Sequence, residues 1–254
     1  MMTLPRQLLD VPLAHRALHD LTAGRPENSR AAIRAAIDHG YGIEIDLQLS
    51  ADGRAMVFHD YALERLTVGT GTVRTLDAAT LGQTILRGSD EGIPDLSEVL
   101  EIVAGRVPLL VEFKDQDGAM GPDVGPLEDA AAEVLRDYKG PLAVMSFNPH
   151  SVARLAEVLP DVPRGLVTSA YAEGDWPLSA KVRDHLREIP DYDRVGACFI
   201  SHEAADLGRA RVSELKAKGA GVLCWTIRSP KEEAEAREVA QNVTFEHYLP
   251  PLKG

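Results

Sequence analysis

The chain has 254 residues, 44% of them hydrophobic and 26% charged, the balance of a soluble globular protein long enough for one large core. Its net charge of -12 argues against a general nucleic-acid binder or stable membrane association, because neither polyanion would be attracted over a distance; a local cationic pocket stays open. The N-terminal stretch Met1 to Asp10 lacks a sustained apolar core and a small-residue cleavage site, and no apolar run approaches membrane-spanning length, so a cytoplasmic protein is expected.

Strand-like runs recur along the chain with helical stretches between them, the signature of parallel βα units. In chain order the strands are Val11 to His15, Gly42 to Leu49, Ala55 to His59, Leu109 to Lys114, Leu142 to Phe147, Gly165 to Ser169, Ala197 to Ser201 and Gly221 to Ile227. The helices are Arg30 to His39, opened by Pro26-Glu27-Asn28-Ser29 and closed by Gly40, then Asp95 to Ala104, Leu127 to Tyr138, Pro149 to Leu159, Leu207 to Lys218 and Lys231 to Val239. Eight strands with helices after most of them predict an α/β fold, a (β/α)8 TIM barrel forming a single domain over 1–254.

Two irregularities interrupt the pattern. Only the turn Ser50-Ala51-Asp52-Gly53-Arg54 separates the second and third strands, so one strand or helix of the ideal barrel is missing or displaced. After the third strand comes an insertion at about 61–92, rich in Thr and Gly, which either covers the pocket or is a packing excursion. The segments Gln116 to Pro126 and Tyr171 to Arg194 are further long connections, the second with room for a short helix. Cys198 and Cys224 fall in strand-like runs, where buried free thiols are expected.

Glu44 and Asp46 share one face of the second strand, among apolar residues suited to barrel-interior or packing positions. Two like charges on one face repel unless something cationic lies between them. Barrel strands converge at their carboxyl ends, which brings His15, Glu44, Asp46, His59, Glu112 and Lys114 to one mouth. Three carboxylates without a thiolate suit one hard divalent cation, Mg²⁺ or Ca²⁺ with Mn²⁺ admitted, and zinc less well. The competing arrangement is a buried network of the acids with Arg16 or Lys114; the third acid favours the metal. Two histidines at the same mouth can divide the roles of base and acid, and Arg16 and Lys114 suit an anionic substrate such as a phosphate ester.

The ordered set His15-Arg16, Pro26-Glu27-Asn28-Ser29, Glu44-Ile45-Asp46, Asp52-Gly53, Val57-Phe58-His59-Asp60, Ile93-Pro94-Asp95-Leu96 and Glu112-Phe113-Lys114 resembles the glycerophosphodiester phosphodiesterase family. Weaker matches follow at Ser146-Phe147-Asn148, Arg164-Gly165-Leu166 and Trp225-Thr226-Ile227, so the resemblance runs from about Leu13 to about Ile227. It implies a TIM barrel with an insertion and metal-dependent hydrolysis of small-molecule glycerophosphodiesters to glycerol 3-phosphate and an alcohol. His15 and His59 match the family's acid and base pair, Glu44, Asp46 and Glu112 its metal carboxylates, and Arg16 and Lys114 its phosphate contacts. Trp225 matches an aromatic wall near the substrate, a position that plain core packing would also explain. Glu27 is expected to favour the dipole of the first helix rather than to reach the site.

Two departures stand out. Ala17 occupies the place where the family usually has glycine, followed by an intervening segment from Leu18 to Arg25 in which His19 and Asp20 read as solvated loop residues. The chain end, Asn242 to Pro250, lacks the family's usual glycine-rich strand with Thr-Asp and Pro. Both changes bear on substrate choice. Alternatives are a lysophospholipase D or sphingomyelinase D type of phosphodiesterase and, from another class, a non-catalytic barrel that binds a phosphorylated small molecule.

Overall fold

A computed structural model describes residues 2–252. Eight parallel strands close into a barrel: β1 Leu13–Ala14, β2 Gly42–Leu49, β4 Leu109–Phe113, β5 Leu142–Ser146, β6 Arg164–Thr168, β7 Phe199–Glu203, β8 Gly221–Ile227 and β9 Asn242–Phe245. Each pairs with the next in that order, and β9 returns to β1 through Leu13 opposite Thr244 and Ala14 opposite Phe245. No helix among the described residues is long and apolar enough to cross a membrane.

The eighth barrel strand is not the one expected. Ala55–Val57, β3, pairs antiparallel with the end of β2, with Leu47 opposite Val57 and Leu49 opposite Ala55, and stands outside the barrel. Its turn explains why. A parallel crossover needs a dozen or more residues, whereas here Ser50 N–H bonds the Arg54 carbonyl at 2.9 Å and Gly53 takes a left-handed φ of 78°. The chain can only fold back. The place is filled instead by β9, four residues in a segment whose polar ends gave no strand signal.

Helices cover the outside. α2 Arg30–His39 starts on a Ser29 cap and stops at left-handed Gly40. α4 Leu96–Val103 starts on an Asp95 and Glu98 capping box. α5 Pro126–Leu135, α6 Pro149–Val158, α7 Ala180–Arg187, α8 Ala210–Ala217 and α9 Pro230–Ala236 complete the ring. The main apolar core lies between ring and barrel, where Ile43, Ile45, Leu47, Val111 and Val144 meet helix residues such as Ile33, Val99 and Leu155.

Strand alternation therefore turns Glu44 and Asp46 inward, while their apolar neighbours face the helices. A second cluster fills the barrel interior: Leu13, Leu110, Met145, Phe199 and Leu223. Leu4 and Leu8 join it from the N-terminal segment, where α1 Gln7–Asp10 is tied to the last strand by Asn242 Nδ2, which donates to the carbonyls of Leu8 and Val11. The floor is thus apolar and sealed, and the polar residues are left to the other end.

The insertion has a small core of its own, Met56, Phe58, Leu63, Val73, Leu81, Leu86 and Ile93, around the short helix α3 Ala78–Gln83. It packs around this cluster together with β3, and Arg65, Leu66 and Arg87 from it line a cavity that adjoins Arg16.

Candidate active site

Asp46 and Glu112 are partners across the β2 and β4 ladder, and Glu44 precedes Asp46 on the same inward face. All three are buried, and one oxygen from each lies within 4.8 Å of the others. Around them Arg16 N–H donates to Glu44 Oε2 at 2.9 Å, and Asn28 Nδ2 to Asp46 Oδ2 at 2.9 Å. Lys114 Nζ lies 2.7 Å from Asp46 Oδ1 and 2.5 Å from Glu112 Oε1, with Arg16 Nε 3.8 Å from Asp46 Oδ2. The backbone makes this possible by an unusual local path: Arg16, Ala17 and Asn28 all take left-handed φ, at 53°, 64° and 59°. Such conformations cost about 1–3 kcal/mol each in residues other than glycine. Ala17 adopts the glycine-like conformation without being glycine.

The two cations do not neutralise three acids. Burial, with Asp46 and Glu112 beside it, pushes Glu44 well above the usual carboxylate range. Burial works the same way on Asp46 but is overcome by Lys114, His59 and Arg16, which hold it well below that range. Lys114 is raised despite its burial, by Asp46 and Glu112. Glu44 has no ion pair among the described residues. Asp46 Oδ1 is met by the Lys114 ammonium at 2.7 Å. The acid in excess fits a hard cation held by Glu44, Asp46 and Glu112. The network with Arg16 and Lys114 is also present, and it leaves Glu44 without a cation.

Each histidine has a carboxylate on its Nδ1. His15, at the end of β1, meets Glu246 Oε2 at 2.7 Å; His59, just beyond β3, meets Asp60 Oδ1 at 2.7 Å. A carboxylate there fixes the proton on Nδ1 and leaves Nε2 for chemistry. Burial takes His15 down to about 4, against the opposing pull of Glu246, while Glu246 falls well below its usual range because His15, His19 and Arg228 outweigh its own burial. The pair is a neutral imidazole on an ionised carboxylate. Asp60 is held in turn by Arg65 from the insertion, at 2.6 and 2.7 Å.

Glu27 reaches the site, contrary to the expectation from its helix. It accepts from Arg16 Nη1 at 2.9 Å and from both terminal nitrogens of Arg65 at 3.0 Å. His19 is largely buried, not solvated, with Nε2 3.7 Å from Glu246. Trp225 stands on β8, across the barrel from β4, its Nε1 donating to the Ser201 carbonyl at 3.0 Å. Its ring lies 5.5 Å from that of Phe147, which meets Trp176 at 4.8 Å, and Trp176 meets Tyr171 at 5.0 Å. The mouth thus has a charged side and an aromatic side.

Sequence reasoning missed Glu246, Asp60, Asn28 and Arg65. Asp60 and Asn28 were adjacent to residues already singled out, in His59-Asp60 and Glu27-Asn28. Glu246 was hidden with the unrecognised last strand, and nothing in the sequence pointed to Arg65.

The sequence model described as the glycerophosphoryl diester phosphodiesterase family matches residues 15–244. Glycerophosphodiester phosphodiesterase 1 of Bos taurus is 30% identical over 249 aligned residues, covering 87% of this chain and 73% of that one. A glycerophosphodiester phosphodiesterase of Caldanaerobacter subterraneus is 29% identical over 167 residues, covering 62% of this chain and 67% of its own length. The solved structure of an Oleispira antarctica phosphodiesterase, in complex with the product sn-glycerol-3-phosphate, superposes with a TM-score of 0.74 at 25% identity over 93% of each chain. The family match runs from His15, just after the first strand, to Thr244 in the last and so takes in nearly all of the barrel: the chain belongs to the glycerophosphoryl diester phosphodiesterase family.

Proposed function

We propose that the protein hydrolyses glycerophosphodiesters to glycerol 3-phosphate and an alcohol, with one divalent cation and with His15 and His59 as the acid and base pair. The observation that carries this reading is the shared mouth: a buried oxygen triad beside two histidines, each with a carboxylate on Nδ1. The sn-glycerol-3-phosphate held by the Oleispira enzyme supports the product assignment.

A cation on Glu44, Asp46 and Glu112, either Mg²⁺ or Ca²⁺ with Mn²⁺ admitted, supplies Lewis-acid polarisation of the phosphate. The chain's own residues do the rest. Arg16 Nε is buried without a hydrogen-bond partner, and this donor is available to a phosphate oxygen. Lys114 adds positive charge where the transition state gains negative charge. One imidazole Nε2 takes the proton from the nucleophile as its oxygen bonds to phosphorus. The nucleophile is water or the neighbouring glycerol hydroxyl, whose cyclic phosphate water then opens. The other histidine, entering as the imidazolium, gives its Nε2 proton to the departing alkoxide as the P–O bond breaks. The aromatic side, with Trp225, packs against the carbon skeleton of the substrate.

His15→Ala and His59→Ala are each expected to abolish turnover while far-UV circular dichroism stays native. Near-normal rates in either variant would overturn the acid and base assignment. Removing metal with EDTA is expected to stop the reaction and one of the three ions to restore it. Full activity in metal-stripped protein rules out the role given to the triad. Phosphorus NMR of the products, run on glycerophosphodiesters and on lysophospholipids, tests the substrate class.

A further inference from the structure

Bordering Arg16, whose amide holds Glu44, lies a cavity of about 810 Å³ that neither the triad nor His15 and His59 line. Its walls come from four places: the redrawn first loop, the end of α2 at His39, the insertion, and the segment after the last strand. It meets the reaction centre at Arg16, Glu27 and Glu246. Its size is that of a small-molecule site, with room for more than a phosphate group.

The charges of its wall do not balance. Four arginines, at 16, 25, 65 and 87, face three carboxylates, at 20, 27 and 246. Those carboxylates are already engaged. Glu27 holds Arg16 and shares Arg65 with Asp60, and Glu246 holds His15 and Arg228. Asp20 accepts from the Thr22 amide and hydroxyl and touches Arg25 only at 3.5 Å. Arg87 reaches only the Glu64 carbonyl and has no carboxylate partner among the described residues. Besides Arg16 Nε, Arg25 Nε and His19 Nε2 are buried nitrogens without a hydrogen-bond partner. In a protein of net charge -12 this is a local cationic excess with unmet donors, and such a wall recognises anions. The remaining lining mixes leucines and Pro26 with His19, His39, His247 and Tyr248, and Leu21 and Leu249 are largely exposed at the rim. Tyr248 is the tyrosine of this wall, whereas the larger cluster of rings that would suit a quaternary ammonium group, Phe147, Trp176 and Trp225, lies outside it.

We propose that this cavity seats the alcohol part of the diester and selects an alcohol that carries a phosphate or phosphodiester of its own over neutral or cationic alcohols. The role of the alcohol rests on the phosphodiesterase reading of the adjoining centre; the preference for an anion rests on the wall. The test compares kcat/KM for bis(glycerophospho)glycerol, glycerophosphoglycerol and glycerophosphocholine in the native protein and in Arg87→Glu. Native kcat/KM should fall in that order, by about tenfold or more from first to last. Arg87→Glu should lower the first by about tenfold, leave the second within about twofold and raise the third. Equal native values, or an equal change for all three in the variant, overturn the selectivity. Calorimetric binding of inositol 1-phosphate, a monoester and not a diester, gives a second arm that needs no turnover. Its Kd should weaken about tenfold in Arg87→Glu, and an unchanged Kd, or no binding to the native protein, overturns the cavity assignment. Hydrolysis of none of the three diesters would instead count against the phosphodiesterase reading, and the binding arm would still decide the cavity.

Discussion

His15 Nδ1 and Glu246 Oε2 lie 2.7 Å apart although 231 residues separate them in sequence. Barrel closure is the cause: β1 and β9 are ladder neighbours, and the His15 amide bonds the Phe245 carbonyl at 2.9 Å. The carboxylate is anchored on its far side by Arg228 at 2.7 Å, so it holds the imidazole in one orientation and one tautomer. Glu246→Gln is expected to lower kcat by about 10–100-fold with KM little changed, the usual effect of losing such a support. Glu246→Asp should recover part of the loss. A change confined to KM would contradict this positioning role.

The depressed affinity of His15 for protons has a stability consequence. Its folded value of about 4 lies below the ordinary 6.5, so between those pH values the unfolded chain takes up a proton that the folded protein refuses. Stability contributed by this group is complete above about pH 6.5 and is lost as the pH falls toward 4, by about 3 kcal/mol. Glu44, raised by burial, works in the opposite sense over part of the same window. Comparison with a variant therefore isolates the histidine. Urea unfolding of metal-free protein at pH 7 and pH 4.5 should show a smaller acid loss in His15→Gln, by about 2–3 kcal/mol.

Repulsion within the triad makes a second prediction about stability. Glu44→Gln removes one of three crowded acids, so the metal-free variant should melt a few degrees above the metal-free native protein, a gain of about 1 kcal/mol. The native protein should gain about 3 kcal/mol when a binding divalent ion is present at about 100 times its Kd. In Glu44→Gln most of that gain should vanish. Differential scanning calorimetry with and without Mg²⁺, Ca²⁺ or Mn²⁺ reads both effects, and an equal metal response in the two proteins would remove Glu44 from the ligand set.

Arg65 tests the link between the insertion and the chemistry. Its side chain is half exposed yet bonds Asp60, the partner of His59, and Glu27, the partner of Arg16. Arg65→Ala should reduce kcat by about tenfold, since both catalytic-side partners lose their anchor. Thermal stability should change little, because exposed ion pairs contribute about 0–1 kcal/mol. Unchanged kcat would make the insertion a packing layer only.

Gly165 on β6 faces the barrel interior, where an added Cβ would meet the Phe199 ring at 2.5 Å. Phe199 is fully buried in the interior cluster and has no free direction. Gly165→Ala should destabilise the fold by about 1–3 kcal/mol through overpacking, a shift that thermal unfolding will resolve. A variant as stable as the native protein would show that the interior can repack.

Local chemistry decided what the sequence could decide. Alternating βα periodicity, the Ser29 and Asp95 caps and Gly40 place the helices and most strands, because propensity and capping act within a few residues. The likeness of His15-Arg16, Glu44-Ile45-Asp46 and Glu112-Phe113-Lys114 to one family was likewise readable, since those residues sit next to strand ends that any barrel brings together. What the sequence could not decide was which short run closes the barrel. Ala55–Val57 has the stronger strand pattern, yet a five-residue turn forces it back on β2, while Asn242–Phe245 closes the barrel by fitting between β8 and β1. The same closure delivers Glu246 to His15, and the fold of the insertion delivers Arg65 to Asp60 and Glu27. Pairings of that kind depend on contacts between distant segments, and only the tertiary structure fixes them.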